Sequence, residues 1–397
     1  MAKMNLSAQK ILPLDNEAVL VGRAWLPGPI GGPSPVTISD GAVFDLSRVA
    51  ATCAGLLNAN EPVSLVSQAI ASGRALRIGS VADVLANSDE DTRDSNLPHF
   101  LAPPDLQAIK ACGVTFVDSM LERVIEELAK GDPVQAETIR ASIGAEIGAS
   151  LSSVKPGSAE AEKVKASLLQ RGLWSQYLEV GIGPDAEIFT KSQPMSAVGL
   201  GAHIGIHPAS HWNNPEPELV LAVNKNGKVV GATLGNDVNL RDFEGRSALL
   251  LGRGKDNNAS CALGPFIRLL DSDFGIDALR GCAITIEVHG DDGFALRGVS
   301  DLRKISRDML DLVSQAINRH HQYPDGLMLF LGTMFAPTQD RGQPGQGFTH
   351  HPGDVVTIQS PRLGTLENRV KHTDKIAPWT FGVAELISNL AQRNLLS

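Results

Sequence analysis

The sequence predicts an α+β protein, mainly β in its larger part, and three changes of texture along the chain carry that prediction. Between residues 15 and 105, short apolar runs (AVLVGRAWL, AVFDLS, LRIGSVADVL) alternate with Gly/Pro stretches such as PGPIGGPSP, the pattern of short strands and tight turns. From Ser119 to about Gln170 the chain becomes rich in Ala, Glu and Lys, with apolar residues at helical spacing. After Glu179, β-branched runs (AITIEV, LMLFLGT, DVVTIQS) sit between Gly/Pro turns, as expected of a largely antiparallel sheet structure.

Taken in order, residues 1–105 are expected to form a small N-terminal α+β domain without convincing chemistry. LAPPD is expected to be a linker, and residues 106–397 to form the larger domain. The Ala/Glu/Lys-rich insertion, about 119–170, is expected to form a helical lid of three helices: SMLERVIEELAKGD, PVQAETIRASIGAEIGASL and SAEAEKVKASLLQRGLW. Gly131-Asp132-Pro133 and Pro156-Gly157 break them, since proline cannot continue a helix from within. Ser119-x-x-Glu122 has the spacing of a capping box, in which each side chain bonds the other residue's backbone N–H.

At 397 residues and 43% hydrophobic content the chain can bury a substantial core. No apolar run approaches the roughly 20 residues of a membrane span, and MAKMNLSAQKILPLDNEAVLVGRAW lacks a signal-peptide core and cleavage site. A cytoplasmic protein is therefore expected, with no membrane partner. Cys53, Cys112, Cys261 and Cys282 are scattered without C-x-x-C spacing, which points to reduced thiols and away from zinc. The net charge of -9, with no Lys/Arg cluster, argues against a nucleic-acid groove.

The stretch from Asn214 to Asp242 (NPEPELVLAVNKNGKVVGATLGNDVNLRD) carries the strongest chemical signal. Strand side chains alternate faces, so Glu216 and Glu218 point the same way. A two-residue loop at Asn226-Gly227, with Lys225 paired to Lys228, would set Glu216 opposite Asp237 and make Glu218 its diagonal neighbour. Opposed pairs lie about 5 Å apart and diagonals roughly 7 Å. Three anions that close need a cation among them, and all-oxygen ligands imply a hard one: Mg²⁺ first, then Mn²⁺ or Ca²⁺. A bare E-x-E is more often a solvated acidic face; the hairpin register is what raises the metal reading.

The same stretch resembles the fumarylacetoacetate hydrolase superfamily, whose core carries an E-x-E strand followed by an N-D-x-x-x-R-D segment. Here these are Glu216-Pro217-Glu218 and Asn236 to Asp242. Further matches are Lys191 in FTKSQP, Lys255 ahead of an L-G-P-F turn, and Gly332-Thr333 in LFLGTMFAP, so the likeness covers roughly residues 110 to 370. The resemblance implies rolled mixed sheets, with Glu216, Glu218 and Asp237 as metal ligands. It also implies Arg241 meeting substrate or bracing the site, Lys191 anchoring a substrate carboxylate, Thr333 beside Gly332 bonding it, and Lys255 holding the C2 oxygen or steering a proton. Homodimers are usual in that family, so one is expected.

Many hydrolases of the superfamily carry G-x-N-Y-x-x-H-x-x-E, in which His and Glu activate water. The corresponding run here is Gly113 to Glu122, with Ser119 in place of the His. Glu122 could serve in catalysis, as a cap, or both. Loss of the His favours dehydration over C–C hydrolysis. The resemblance thus implies a Mg²⁺-dependent dehydratase converting a 2-keto-3-deoxy-pentonate sugar acid to α-ketoglutarate semialdehyde through a metal-stabilised enolate. An acylpyruvate-type hydrolase and a non-catalytic 2-keto acid binding protein are the alternatives. Gly252-Arg253-Gly254-Lys255 lacks the Ser/Thr and spacing of a phosphate loop, and no G-x-S-x-G elbow is present. His203, His207 and His211 are expected in a loop or strand at the surface or in packing, and His320-His321 and His350-His351 at the surface.

Overall fold

The computed structural model describes residues 3–140, 151, 154–342 and 345–396. Its backbone is organised around two sheets. The larger has eleven strands. It runs from Leu76–Ser80 at one edge through Ala42–Asp45, Gly32–Ser39, Leu20–Leu26, Cys261–Leu269, Val229–Asp237, Pro217–Val223, Leu327–Phe330 and Ala108–Gly113 to Glu187–Ser192, with His99–Leu101 also on Leu20–Leu26. The five-stranded sheet has the order Ala295–Asp301, Ala283–His289, Val355–Ser360, Gly364–His372, His203–Ile206. Pairing is antiparallel except where Leu327–Phe330 meets Ala108–Gly113 and Gly364–His372 meets His203–Ile206.

The expected boundary at residue 105 does not separate two sheets. Leu20–Leu26 pairs with Cys261–Leu269, Leu20 opposite Arg268 and Val21 opposite Ile267, so the N-terminal strands extend the sheet of the larger part. The physical reason is the edge: Cys261–Leu269 is buried along its whole length, and its outer N–H and C=O groups need partners there.

Alternation explains how the central strands pack. Leu219, Leu221, Ala232, Leu234 and Phe266 face the second sheet's Ile284, Ile286, Val356, Ile358 and Leu366. Val220, Ala222, Leu263, Ile267 and Phe330 face Leu56, Leu57, Val66 and Ala69, which lie on the helices Cys53–Leu57 and Pro62–Ala71. Pro217–Val223 is thus buried on both faces, and its carboxylates sit where that strand begins.

The insertion begins with the helix Val117–Leu128, whose N-cap is Phe116. Ser119 is therefore inside the first turn, and its Oγ donates to Phe116 O at 3.0 Å. The expected capping box does not form, because the helix starts three residues earlier than the Ser-x-x-Glu pattern implied. Residues 133–140 are helical, and the rest of the second expected helix, 141–150, lies outside the described residues. Ala159–Gln170 follows, capped by Ser158. A further helix, Gln176–Ile182, occupies the place where strand texture was expected to start. Met120 and Val124 pack against Leu178 and Ile182 to join the first and last of these helices.

Candidate active site

The hairpin sets the geometry of the site. The expected register holds from Pro217 opposite Asn236 to Ala222 opposite Gly231, and Asp237 N–H donates to Glu216 O at 3.0 Å. The tip differs from the expected two-residue loop. Gly227 N–H donates to Asn224 O and Asn224 N–H to Lys228 O, each at 2.9 Å, while Gly227 takes the left-handed conformation at φ 75°. This is a three-residue loop with glycine in the position that requires positive φ. It offsets the ladder by one residue at Val223 opposite Val229, and an irregularity between Ala222 and Val223 restores the register.

Glu216, Glu218 and Asp237 are buried, and one carboxylate oxygen from each lies within 4.8 Å of the others. Lys255 Nζ donates to Glu216 Oε2 at 2.6 Å and to Asp237 Oδ2 at 3.0 Å. Lys191 Nζ lies 2.9 Å from Asp237 Oδ1. Arg123, from the insertion helix, donates to Glu216 Oε1 at 3.0 Å and to Glu126 Oε2 at 2.9 Å, and also pairs with Glu244. Glu218 is the triad member with no ion-pair partner among the described residues; its Oε2 accepts the Gly332 N–H at 2.6 Å. Gly332 has φ 87°, and a Cβ there would lie 2.1 Å from Thr115 Oγ1, so only glycine presents this N–H.

Burial, then repulsion from Asp237 and Glu216, pushes the Glu218 carboxyl well above the ordinary range. Burial acts the same way on Asp237, but Lys191 and Lys255 outweigh it and hold that group low. Burial opposes the Lys255 charge, yet Asp237, Glu216 and Glu244 raise its pKa above the ordinary lysine value. The donor set fits a hard divalent cation: three converging carboxylates, all oxygen, with Glu218 left un-neutralised.

Of the residues expected at the site, Ser119, Lys255, Gly332 and Thr333 line a pocket with the triad. Lys191 does not: it is fully buried, its Nζ bonded to Lys255 O, Val238 O and Ser260 Oγ besides Asp237. Its Nζ faces Asp237 and not the pocket. Arg241 is likewise buried behind the site, with Nε 3.1 Å from Glu126 Oε1 and its guanidinium over Trp212. It braces the site. Glu122 turns away from the pocket into a two-bond pair with Arg140, at 2.8 and 2.7 Å, lining a neighbouring groove beside Met334 and Phe335.

Four functional groups were not read from the sequence: Arg123, Tyr177, Glu187 and Glu244, all on the pocket wall. Burial raises Glu244 to about 7 despite Arg123 and Lys255. Burial also raises Glu187. The Gly113 position is what admits Glu187, since a Cβ on Gly113 would lie 2.0 Å from its Oε2. Elsewhere, His203 occupies a strand between Glu90 and Asp91. His350, expected at the surface, is buried and bonds Asp354 at 3.1 Å, because the Arg341–Asp354 pair draws it inward. All four cysteines are free and buried.

Residues 176–371 match the model of the fumarylacetoacetate (FAA) hydrolase C-terminal domain, and this part of the chain belongs to that family. Two curated relatives are similar over about half of the chain. One is a 2-dehydro-3-deoxy-D-arabinonate dehydratase of Saccharolobus solfataricus, 32% identical over 193 residues, which are 48% of this chain and 60% of that one. The other is a probable 2-keto-3-deoxyxylonate dehydratase of Haloferax volcanii, 31% identical over 49% of this chain and 63% of that one. The match spans less than two thirds of either relative. Among solved structures, a 2-keto-3-deoxyarabinonate dehydratase superposes with TM-score 0.59 at 21% identity, covering 89% of this chain and 99% of that one. A second, complexed with magnesium and 2,5-dioxopentanoate, superposes with TM-score 0.58 at 21% identity over the same shares. The fold is therefore the mixed-sheet fold the sequence led us to expect. No helix among the described residues is long and apolar enough to cross a membrane.

Proposed function

We propose that this chain is a Mg²⁺-dependent hydro-lyase that dehydrates a 2-keto-3-deoxy-pentonate to α-ketoglutarate semialdehyde (2,5-dioxopentanoate). One observation carries the reading: the buried triad opens onto a pocket whose lining, among the described residues, includes no histidine, while Glu122 is paired to Arg140 outside it. The water-activating pair of a hydrolase is therefore missing where it would act. The dehydratase names of the relatives and the magnesium and 2,5-dioxopentanoate of the superposed structure support the same choice.

A divalent cation held by Glu216, Glu218 and Asp237 would supply Lewis acidity toward a 2-keto acid. The chain's own residues do the rest. Lys191 and Lys255 fix Asp237, Lys255 and Arg123 fix Glu216, and the Gly332 N–H fixes Glu218. Glu187 lines the pocket with no ion-pair partner among the described residues, which leaves it free to accept a proton from C3. Ser119 and Thr333 border the space a sugar-acid chain would fill. Arg123 ties the insertion helix to the triad, which suits a lid over about 119–170. We further propose a cytoplasmic homodimer, on family resemblance.

The test is a protein stripped with EDTA and offered 2-keto-3-deoxy-pentonates, acylpyruvates and oxaloacetate with and without Mg²⁺. We expect Mg²⁺-dependent aldehyde formation from the first class alone, and loss of both Mn²⁺ binding and turnover in Glu218→Gln. Full turnover by a verified metal-free preparation would sink the metal assignment. Acylpyruvate cleavage without dehydration would make the protein a hydrolase.

A further inference from the structure

Elimination of water from a 4-hydroxy-2-keto acid needs a proton donor at the departing C4 oxygen, because hydroxide is a poor leaving group. Among the described residues the lining offers three hydroxyls: Ser119, Thr333 and Tyr177. Each carries one proton, and two of the three are spent. Ser119 Oγ donates to Phe116 O at 3.0 Å. Thr333 Oγ1 reaches Ser300 Oγ at 3.5 Å and accepts the Phe335 N–H at 3.0 Å. The cations on the wall are occupied too, Lys255 by Glu216 and Asp237 and Arg123 by Glu216 and Glu126. The Tyr177 hydroxyl has no hydrogen-bond partner among the described residues, although its ring is half-buried against the site.

The backbone around Tyr177 is held in place. Ser175 caps the helix Gln176–Ile182 by accepting the Tyr177 N–H at 3.1 Å, and the Ser175 hydroxyl in turn bonds Glu127 of the insertion helix. Gln176 Nε2 donates to the other Glu127 oxygen at 2.8 Å. At the far end a Cβ on Gly181 would lie 2.7 Å from Met120 Sδ, so the two helices are in close contact there. An aromatic ring pinned at both ends of its helix, with a free hydroxyl on the pocket wall, is a positioned donor waiting for an acceptor.

We propose that Tyr177 is a catalytic residue, the general acid that protonates the C4 oxygen as it leaves; this rests on the dehydratase reading above. The C3–H bond breaks toward Glu187 and its electron pair moves onto the C2 oxygen as an enolate; that pair then returns to form the C3–C4 double bond as the C4–O bond breaks. The oxygen departs as water with the Tyr177 proton. The proton taken from C3 returns to the phenolate, so water is the sole net loss, and tautomerisation of the allylic alcohol product gives the aldehyde.

The test uses Tyr177→Phe, which keeps the ring and removes no hydrogen bond to the described residues. With Mg²⁺ and a 2-keto-3-deoxy-pentonate, kcat should fall about 10²- to 10⁴-fold, the contribution of one positioned general acid. Exchange of the C3 hydrogens with D₂O, read by NMR, should stay within about threefold of wild type, and Mn²⁺ affinity read by EPR should be unchanged, because that acid acts only after C3–H cleavage. A 4-fluoro analogue, whose leaving group needs no proton, should restore most of the lost rate. An undiminished kcat on the hydroxy substrate overturns the proposal, and so does an equal fall in exchange and elimination. A wild-type protein that exchanges C3–H yet dehydrates none of these acids instead sinks the dehydratase reading, and the Tyr177 role with it.

Discussion

Lys191→Met puts the reassignment of Lys191 to a decisive test. Methionine matches the length of the lysine chain but removes its charge and all three donors. In the wild type the fully buried Nζ pairs with Asp237 Oδ1 at 2.9 Å and bonds Lys255 O, Val238 O and Ser260 Oγ. Removing one partner of a buried ion pair costs about 3–5 kcal/mol. Asp237 keeps Lys255 at 3.0 Å, which places the expected loss toward the lower end, about 3 kcal/mol. With an unfolding entropy of about 2.1 cal/mol/K per residue over 397 residues, that loss lowers Tm by roughly 4 °C. Calorimetry and urea titration should agree on the change, and Mn²⁺ affinity should fall because Asp237 loses its anchor. A substrate-carboxylate anchor would behave in the opposite way. An unchanged Tm together with a strongly raised KM for the 2-keto acid would refute the structural assignment.

Two further outcomes are expected. Glu122→Gln should leave kcat within about threefold of wild type, against the 10²- to 10⁴-fold loss of a general acid or base; steady-state kinetics of the folded variant decides. In the second, Asp354 is the group followed. Burial opposes its charge, but hydrogen bonds from His350 and Arg341 hold its pKa at about 2, below the ordinary 3.8. A depressed carboxyl stabilises the fold above its unfolded pKa and loses that contribution as pH falls through the folded value. Asp354→Asn should therefore remove about 2 kcal/mol of pH-dependent stability between about pH 4 and 2, measured as a flatter acid limb in urea midpoints; an acid limb identical to wild type would contradict it.

What could be read from the sequence follows the range over which each feature is determined. The triad was legible because alternation and a hairpin register are local: Glu216 and Asp237 belong to one strand-turn-strand unit. Arg123 was invisible, since its contact with Glu216 spans 93 residues and nothing in SMLERVIEE marks which polar residue faces the sheet. Lys191 was found, but its burial beside Asp237 was not, because a motif match carries identity and not burial. The Ser119 cap failed on a shift of three residues, for Phe116 begins the helix with no side-chain cap to announce it. The N-terminal strands read correctly as strands, but their union with Cys261–Leu269 depends on an edge built from the other end of the chain.

The loop at Asn224–Gly227 has a consequence for folding. Counted regularly outward from Asn224 and Lys228, the ladder would bring Asn236 opposite Glu216 and turn Asp237 to the other face, since a slip of one residue reverses every side chain. The native alignment is reached only because the irregularity at Ala222/Val223 absorbs one residue. The hairpin therefore has two competing alignments, and mutual repulsion of the carboxylates favours the one that scatters them. Lys191 and Lys255, which gather Asp237 beside Glu216, offset that repulsion, so the cations of the site also stabilise the native strand alignment.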